Sequence, residues 1–245
     1  MKKKALALLL PLLALAACRS GGTAVKPKQD SNRFYIDFGR GVAALERSDY
    51  GAAIHSLSLA LAEQPGSART LNLRGVAYLM SGRINEAKAD FESAIALDPA
   101  YGTAYQNLGG VLAKEMRLDE AEAVLRRALE RSPASASAHF SLGSVLIFQG
   151  RSEEAMAVMR RGLELDPDYF AAEQRFTTGP GLQDANRPEL FFSYARLFAA
   201  SGDVGKTAEY LRLAKKAGFK DWQRIRTLGD FDPVRADPAL EEFIR

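Results

Sequence analysis

The chain holds one cysteine, one tryptophan and two histidines among its 245 residues. A single cysteine, Cys18, rules out a disulfide within the chain, so the fold takes nothing from oxidation and a lone thiol is left needing a purpose. Neither histidine, His55 or His139, has a cysteine, histidine or carboxylate at metal-ligand spacing. A glycine-rich phosphate loop after a strand is missing, and so is the G-x-S-x-G nucleophile turn. Asp230, Asp232 and Asp237 lie in turn chemistry beside Pro233 and Pro238 and lack the calcium-loop pattern. The chain is therefore expected not to be an enzyme, and to carry no metal and no cofactor. Charge of one sign is scarce too. The formal net charge is +3, and Lys2, Lys3 and Lys4 account for it. Beyond them no basic patch or stripe of the kind nucleic acid requires stands out. Lys215-Lys216 and Arg126-Arg127 read as solvated helix faces. No apolar run is long enough to span a bilayer: Ala5–Ala17, without a charge, has thirteen residues.

That short run has a context. It follows the basic start Met1-Lys2-Lys3-Lys4 and ends Leu15-Ala16-Ala17-Cys18. Basic residues, an apolar core and then small residues describe a secretory signal. The last four residues resemble the lipobox of bacterial lipoproteins. That resemblance implies cleavage before Cys18, diacylglycerol on its thiol and an acyl-anchored protein. A conventional cut after Ala16, leaving a free thiol, is the alternative. Arg19 rather than aspartate follows the cysteine, which by the same resemblance implies sorting to the outer membrane, with the protein facing the periplasm. Several acyl chains give stable anchoring, because burial is worth roughly 0.8 kcal/mol per CH2. Residues 18–33 then read as the lipidated cysteine and a tether, polar with Gly, Ser and Pro. Fully extended, the tether reaches roughly 50 Å.

Proline carries the strongest signal. Pro65, Pro99, Pro133 and Pro167 are spaced 34 residues apart, the period of a helix–turn–helix array. Counted from thirty-one residues before each proline, the units are 34–67, 68–101, 102–135 and 136–169. Their eighth places hold Gly41, Gly75, Gly109 and Gly143, and their twentieth places Ala53, Ala87, Ala121 and Ala155. The spacing puts these small residues on the two helices of one hairpin. They are expected to face each other and let the backbones approach, where a bulkier pair would cost roughly 1–3 kcal/mol. The twenty-seventh places are small again, Ala60, Ala94, Ala128 and Gly162. The twenty-fourth places, Leu57, Phe91, Leu125 and Met159, read as core knobs. With GVAYLMSGRINEAKADFESAIALDP over 75–99 as an example, residues 34–169 resemble the tetratricopeptide repeat (TPR) family. The implied fold is an all-α solenoid in which units stack because none buries its apolar face alone. Asp37 departs from the aromatic or leucine common at the fourth place and marks the first unit as atypical.

A fifth, degenerate unit is expected within 188–245, with Ala195, Thr207, Leu211 and Ala214 at the small, small, large and small places. An irregular insertion, 170–187, precedes it. Gly179-Pro180-Gly181 breaks any continuous helix there, leaving a short helix over 170–177 and a loop. The tail resembles the segments that close TPR arrays. Trp222, Ile225, Leu228, Phe231, Val234, Leu240 and Phe243 are the residues expected to cover the end.

The TPR resemblance implies a concave groove lined by the first helix of each unit, at its second, fifth, ninth and twelfth places. In the first unit these include Tyr35, Phe38 and Val42; in the second, Asn72 and Val76; in the third, Gln106 and Gly110; in the fourth, Phe140 and Ser144. Half of such residues can equally be packing between units. Phe38, Val42, Ser137 and Ser141 stand where the carboxylate-clamp subgroup carries charged and amide groups, so that mode is set aside in favour of an apolar or extended segment. The expected function is a membrane-anchored protein–protein interaction adaptor of the bacterial envelope. Lipoproteins made of TPRs resembling this one are pilotin-like factors for type IV pilus secretin assembly. Scaffolding or regulation of periplasmic peptidoglycan hydrolases or proteases is the alternative, and self-association through the apolar helix Tyr35–Leu45 a third.

Overall fold

The computed structural model describes residues 31–169 and 187–244. The leader, Cys18, the tether and the short helix expected over 170–177 lie outside the described residues. Helices come in consecutive pairs. They are α1 (Ser31–Glu46) with α2 (Tyr50–Glu63), α3 (Ala68–Met80) with α4 (Ile84–Leu97), and α5 (Gly102–Lys114) with α6 (Leu118–Arg131). Next come α7 (Ala136–Phe148) with α8 (Ser152–Leu165), and α9 (Arg187–Ala200) with α10 (Val204–Ala217). A short α11 (Gln223–Thr227), 3-10 turns at Gly229–Phe231 and Pro238–Leu240, and α12 (Glu241–Ile244) finish the chain. Among the described residues there is no strand. Every helix packs chiefly on its neighbours in sequence, and each first helix also touches the first helix of the next unit. The fold is the expected all-α solenoid.

One contact sets the geometry of each hairpin. The eighth-place glycine receives the twenty-fourth-place knob. A Cβ on Gly41 would lie 2.5 Å from Leu57 Cγ, on Gly75 2.6 Å from Phe91 Cε1, and on Gly109 2.6 Å from Leu125 Cγ. On Gly143 it would run into Met159. The knob is long and needs the notch, whereas two small residues facing each other would leave a void. Ala53, Ala87, Ala121 and Ala155 are fully buried, but the glycine's nearest neighbours are the knob atoms. The twenty-seventh-place residues form the seam with the following unit or their own first helix. Ala94 clusters with Ala104, and Ala128 with Ala138.

The turn inside each hairpin follows a second constraint, at the fifteenth place. Ser48, Gly82, Met116 and Gly150 all have φ between 58° and 81°, as does Gly202 in the fifth pair. The left-handed residue lets the next N–H reach back five residues: Asp49 to Ala44, Arg83 to Tyr78, Arg117 to Leu112, Arg151 to Leu146 and Asp203 to Phe198. These bonds satisfy carbonyls that the first helix leaves open. Ser48 and Met116 take this conformation without glycine's freedom, against a penalty of roughly 1–2 kcal/mol. The following residue is Arg83, Arg117 or Arg151 in three units, and each pairs with a glutamate three residues on: Glu86, Glu120 and Glu154.

The fifth pair and tail are closely packed. Ala195, Thr207, Leu211 and Ala214 are fully buried, and Ile225, Phe231, Val234, Leu240 and Phe243 are buried over the end of the array. Trp222 and Leu228 are half-buried. Phe192 stacks on Phe219 with ring centres 4.2 Å apart. Asp230 does more than shape a turn. It pairs with Arg196, which is 2% exposed and also reaches Glu153 of α8 at 2.9 Å. The atypical Asp37 is likewise buried and meets Arg40 at 3.2 Å.

A charge network ties the third unit to the fourth. Glu122 of α6 accepts from Arg126 on its own helix and from Arg151 across the seam, and Glu154 of α8 accepts from both arginines. Burial pushes the Glu122 carboxyl up, but the donors Arg126, Arg151 and Gln149 together outweigh it and hold its pKa below the ordinary value. Arg126 first and then Arg151 hold Glu154 low as well.

These contacts have measurable consequences. Gly109 and Gly110 are neighbours in α5, but an added Cβ at Gly110 meets nothing within 4 Å. Gly110→Ala should raise the urea midpoint through helix propensity, by up to ~1 kcal/mol. Gly109→Ala should lower it, since overpacking costs roughly 1–3 kcal/mol against that same gain. The charge network gives a pH dependence. Carboxylates with depressed folded pKa values stabilise the fold above their unfolded pKa, about 4.3, and lose that contribution as pH falls through the folded value. Arg151→Ala should therefore lower the urea midpoint at pH 7, and its difference from the unsubstituted chain should shrink as pH drops below about 4.

Candidate peptide-binding groove

The first helices α1, α3, α5 and α7 form a row, each touching the next, and their second, fifth and ninth places lie along one side. That side is partly open in the first three units and mostly buried in the fourth. Tyr35 is 66% exposed, Phe38 and Val42 are half-buried, and Gly110 is open. Val76 and Gln106 are half-buried.

Three expected groove residues are not on an open surface. Phe140 is 2% exposed, and Tyr169 stacks on it with ring centres 4.4 Å apart. Ser144 is buried as well. Its hydroxyl donates to the Phe140 carbonyl at 2.9 Å and lies 3.4 Å from the Tyr194 hydroxyl of α9. The groove therefore closes at the fourth unit because the chain's own residues lie on it. The composition of α7 fits this placement: Phe140, Leu142, Val145, Leu146, Ile147 and Phe148 are all buried, so the helix is apolar around its circumference. Asn72 is 3% exposed and accepts a hydrogen bond from Asn107 Nδ2 at 2.8 Å. It acts as a link between α3 and α5 rather than as a free amide.

The open stretch runs from α1 to α5. Its polar members are held in place by their neighbours. Arg69 lies over the Phe38 ring at 5.2 Å, presenting a cation beside an apolar patch. The Gln106 amide oxygen accepts from Ser137 at 2.9 Å and from Ser135 at 3.3 Å. This fixes the side chain and leaves its amide nitrogen with no partner among the described residues. Tyr101, at the end of the second unit, sits beside Asn72, and burial pushes its hydroxyl pKa up. Val42, Val76 and Gly110 complete a floor that is apolar at one end and carries the Gln106 amide in the middle. An extended segment could lay side chains on the former and pair its backbone with the latter.

Asn107 and Tyr101 were not among the expected site residues. Asn107 stands at a sixth place that is otherwise Gly39, Leu73 or Ser141, and that irregularity is its sequence signal; Tyr101 stands at a thirty-fourth place that Tyr169 also fills. The clamp-subgroup positions stay uncharged, with Ser137 engaged by Gln106. Among the described residues no group of three or more His, Cys, Asp or Glu converges as a metal site, and no helix is long and apolar enough to cross a membrane.

Known proteins share parts of this architecture. The chain is 35% identical over 81 residues to a chloroplastic TPR domain-containing protein, PYG7, of Arabidopsis thaliana. It is 38% identical over 69 residues to the heat-shock cognate co-chaperone sgt12 of Aspergillus fumigatus. The matches cover 31% and 28% of this chain but only 27% and 20% of those proteins. Among solved structures, pilF of Pseudomonas aeruginosa matches with a TM-score of 0.56 at 18% identity, over 82% of this chain and 87% of that one. TTC0263, a thermophilic TPR protein of Thermus thermophilus, matches with a TM-score of 0.54 at 22% identity, over 79% and 96%. These likenesses show the fold. The Tetratricopeptide repeat family model matches residues 38–101, 73–136 and 116–170, which together span more than half of the chain. With the notch-and-knob hairpins at a fixed 34-residue period, that match shows that the chain belongs to the tetratricopeptide repeat family.

Proposed function

We propose that this chain is a lipid-anchored adaptor of the bacterial envelope that holds an extended segment of a partner protein against α1, α3 and α5. The observation that carries the reading is the partly open row of Phe38, Val42, Val76, Gln106 and Gly110, fixed in shape by the Asn72–Asn107 and Gln106–Ser137 bonds. A binding surface whose polar groups are already oriented loses less entropy when a ligand arrives. Two features of the sequence support the envelope location. The basic start and apolar run lead into Leu15-Ala16-Ala17-Cys18, and Cys18 is the one thiol available for acylation. Acyl anchoring at the outer membrane, with the array in the periplasm, confines the groove to a surface and raises its effective concentration toward partners there. The specific role proposed is pilotin-like: escorting secretin subunits during type IV pilus assembly.

The test has two arms. Cys18→Ala should move the protein from the membrane fraction to the soluble fraction. A photo-crosslinker at Thr103, exposed beside the groove, should capture a secretin subunit in cells. Gly110→Arg, which fills open space, should reduce that capture by about tenfold, the equivalent of ~1.4 kcal/mol, without lowering the urea midpoint. Unchanged membrane association sinks the anchor. Secretin multimers that persist after deletion of the protein sink the pilotin-like role. Crosslinks confined to the chain itself sink the groove.

A further inference from the structure

The outer face of α1 is built like a helix–helix seam but has no helix in front of it among the described residues. In the next three units, the third and tenth places of the first helix pack on the second helix of the preceding unit. Ala77 clusters with Ala53, Ala104 with Ala94, and Ala138 with Ala128. The third-place residues Thr70, Ala104 and Ala138 are at most 1% exposed. In the first unit the same places hold Ile36, which is 45% exposed, and Ala43, which is half-buried. Gly39 lies between them with nothing within 4 Å of where a Cβ would stand, so a second backbone can come close.

Charge marks the same face. Arg40 occupies the seventh place, where the second unit has Arg74. Arg74 is clamped: it donates to both Asp90 oxygens at 2.7 and 2.8 Å, and to Ser58 on the preceding second helix at 3.2 Å. For Arg40 the equivalent of Asp90 is Ser56, which offers no charge, and its side chain is 69% exposed beside Asp37. Arg33 and Arg47 stand seven residues to either side, and Arg33 reaches Asp37 and Glu63 only at 4.0 and 3.7 Å.

We propose that this face docks an amphipathic helix of a partner protein, small and apolar along its ridge and acidic on the flank that meets Arg40. The partner would supply the second helix that ordinarily precedes a unit. This surface is separate from the groove. Charge argues against a second copy as the occupant, since antiparallel pairing of two such faces sets Arg40 against Arg40 and Arg33 against Arg47, and like charges across an interface suppress association.

The probe is a stapled helical peptide of residues 84–97 of this chain, because α4 is a seam helix of this fold. It carries Glu92 at the place from which Ser58 reaches Arg74. Binding to the full chain is read by fluorescence anisotropy. Ile36→Asp and Arg40→Glu should each weaken binding by about tenfold or more. The Glu92→Lys peptide should recover binding to the Arg40→Glu protein, a rescue that a misfolded variant cannot give. Gly110→Arg should leave peptide binding unchanged, so failure of the groove reading and failure of this one are distinguishable. Three results overturn the proposal. One is binding that ignores Ile36 and Arg40. Another is binding that appears only after residues 1–30 are removed, which makes the chain's own terminus the occupant. The third is a concentration-dependent dimer that Ile36→Asp abolishes, which makes a second copy the occupant.

Discussion

In each of the first four hairpins, a side chain from the second helix sits where the first helix would otherwise place a Cβ. That close approach sets the rest of the geometry. With Leu57, Phe91, Leu125 and Met159 seated in glycine notches, the two helices of a unit are fixed face to face, and the small residues that remain line the seams with the next unit and with their own first helix. Seams of alanine on alanine keep successive first helices near enough to touch. The row of first helices is the groove, so its existence depends on the notch several contacts away. Packing of this density transmits a change of one methylene.

The two ends of the array meet solvent differently. At the C-terminal end, an aromatic layer of Phe192, Phe219, Phe231, Trp222 and Phe243 closes the stack. Arg196 is held there between Asp230 and Glu153 at 2% exposure. A charge so buried stabilises only while its partners stay in place; losing one would leave it uncompensated. It therefore fixes how the tail sits on α8 and α9 rather than adding much net stability. The same end draws Tyr169 and Tyr194 onto α7, which is why the groove closes at the fourth unit. At the N-terminal end Arg33 and Arg40 lie largely in solvent around the buried Asp37, and the apolar residues Tyr35 and Ile36 are uncovered.

The period was legible because it is a packing repeat: proline, glycine and small residues recur wherever backbone or side chain has no room to vary. The fifth pair and the cap were legible for the same reason, through Ala195, Leu211 and the tail aromatics. What the sequence left unread is the knob that fills the glycine notch. Spacing says that two residues share a hairpin, but not which of two nearby second-helix places is aimed at the first. The fifteenth-place turn was there to read in Gly82, Gly150 and Gly202, but Ser48 and Met116 break the glycine pattern while keeping the conformation. Groove residues were the least legible. Phe140 and Ser144 have the right register, and their burial depends on Tyr169 and Tyr194, which lie outside their own unit's first helix. Register assigns a face to a residue, but long-range packing decides whether that face is open.

Nearest-neighbour energetics connect the open end to the groove. In a solenoid each unit is stabilised by its own contacts and by the units on either side. Among the described residues the first unit has one such neighbour, so of the four regular units it is the one with the least support there against local opening. It also carries Phe38 and Val42, the apolar end of the groove. A helix docked on Ile36 and Arg40 would supply the missing seam and hold α1 in the conformation that the groove requires. Binding at the edge and binding in the groove would then favour each other, and by linkage the coupling must be equal in both directions. No movement of the later units is required, because the ordering of one terminal helix is shared by both surfaces.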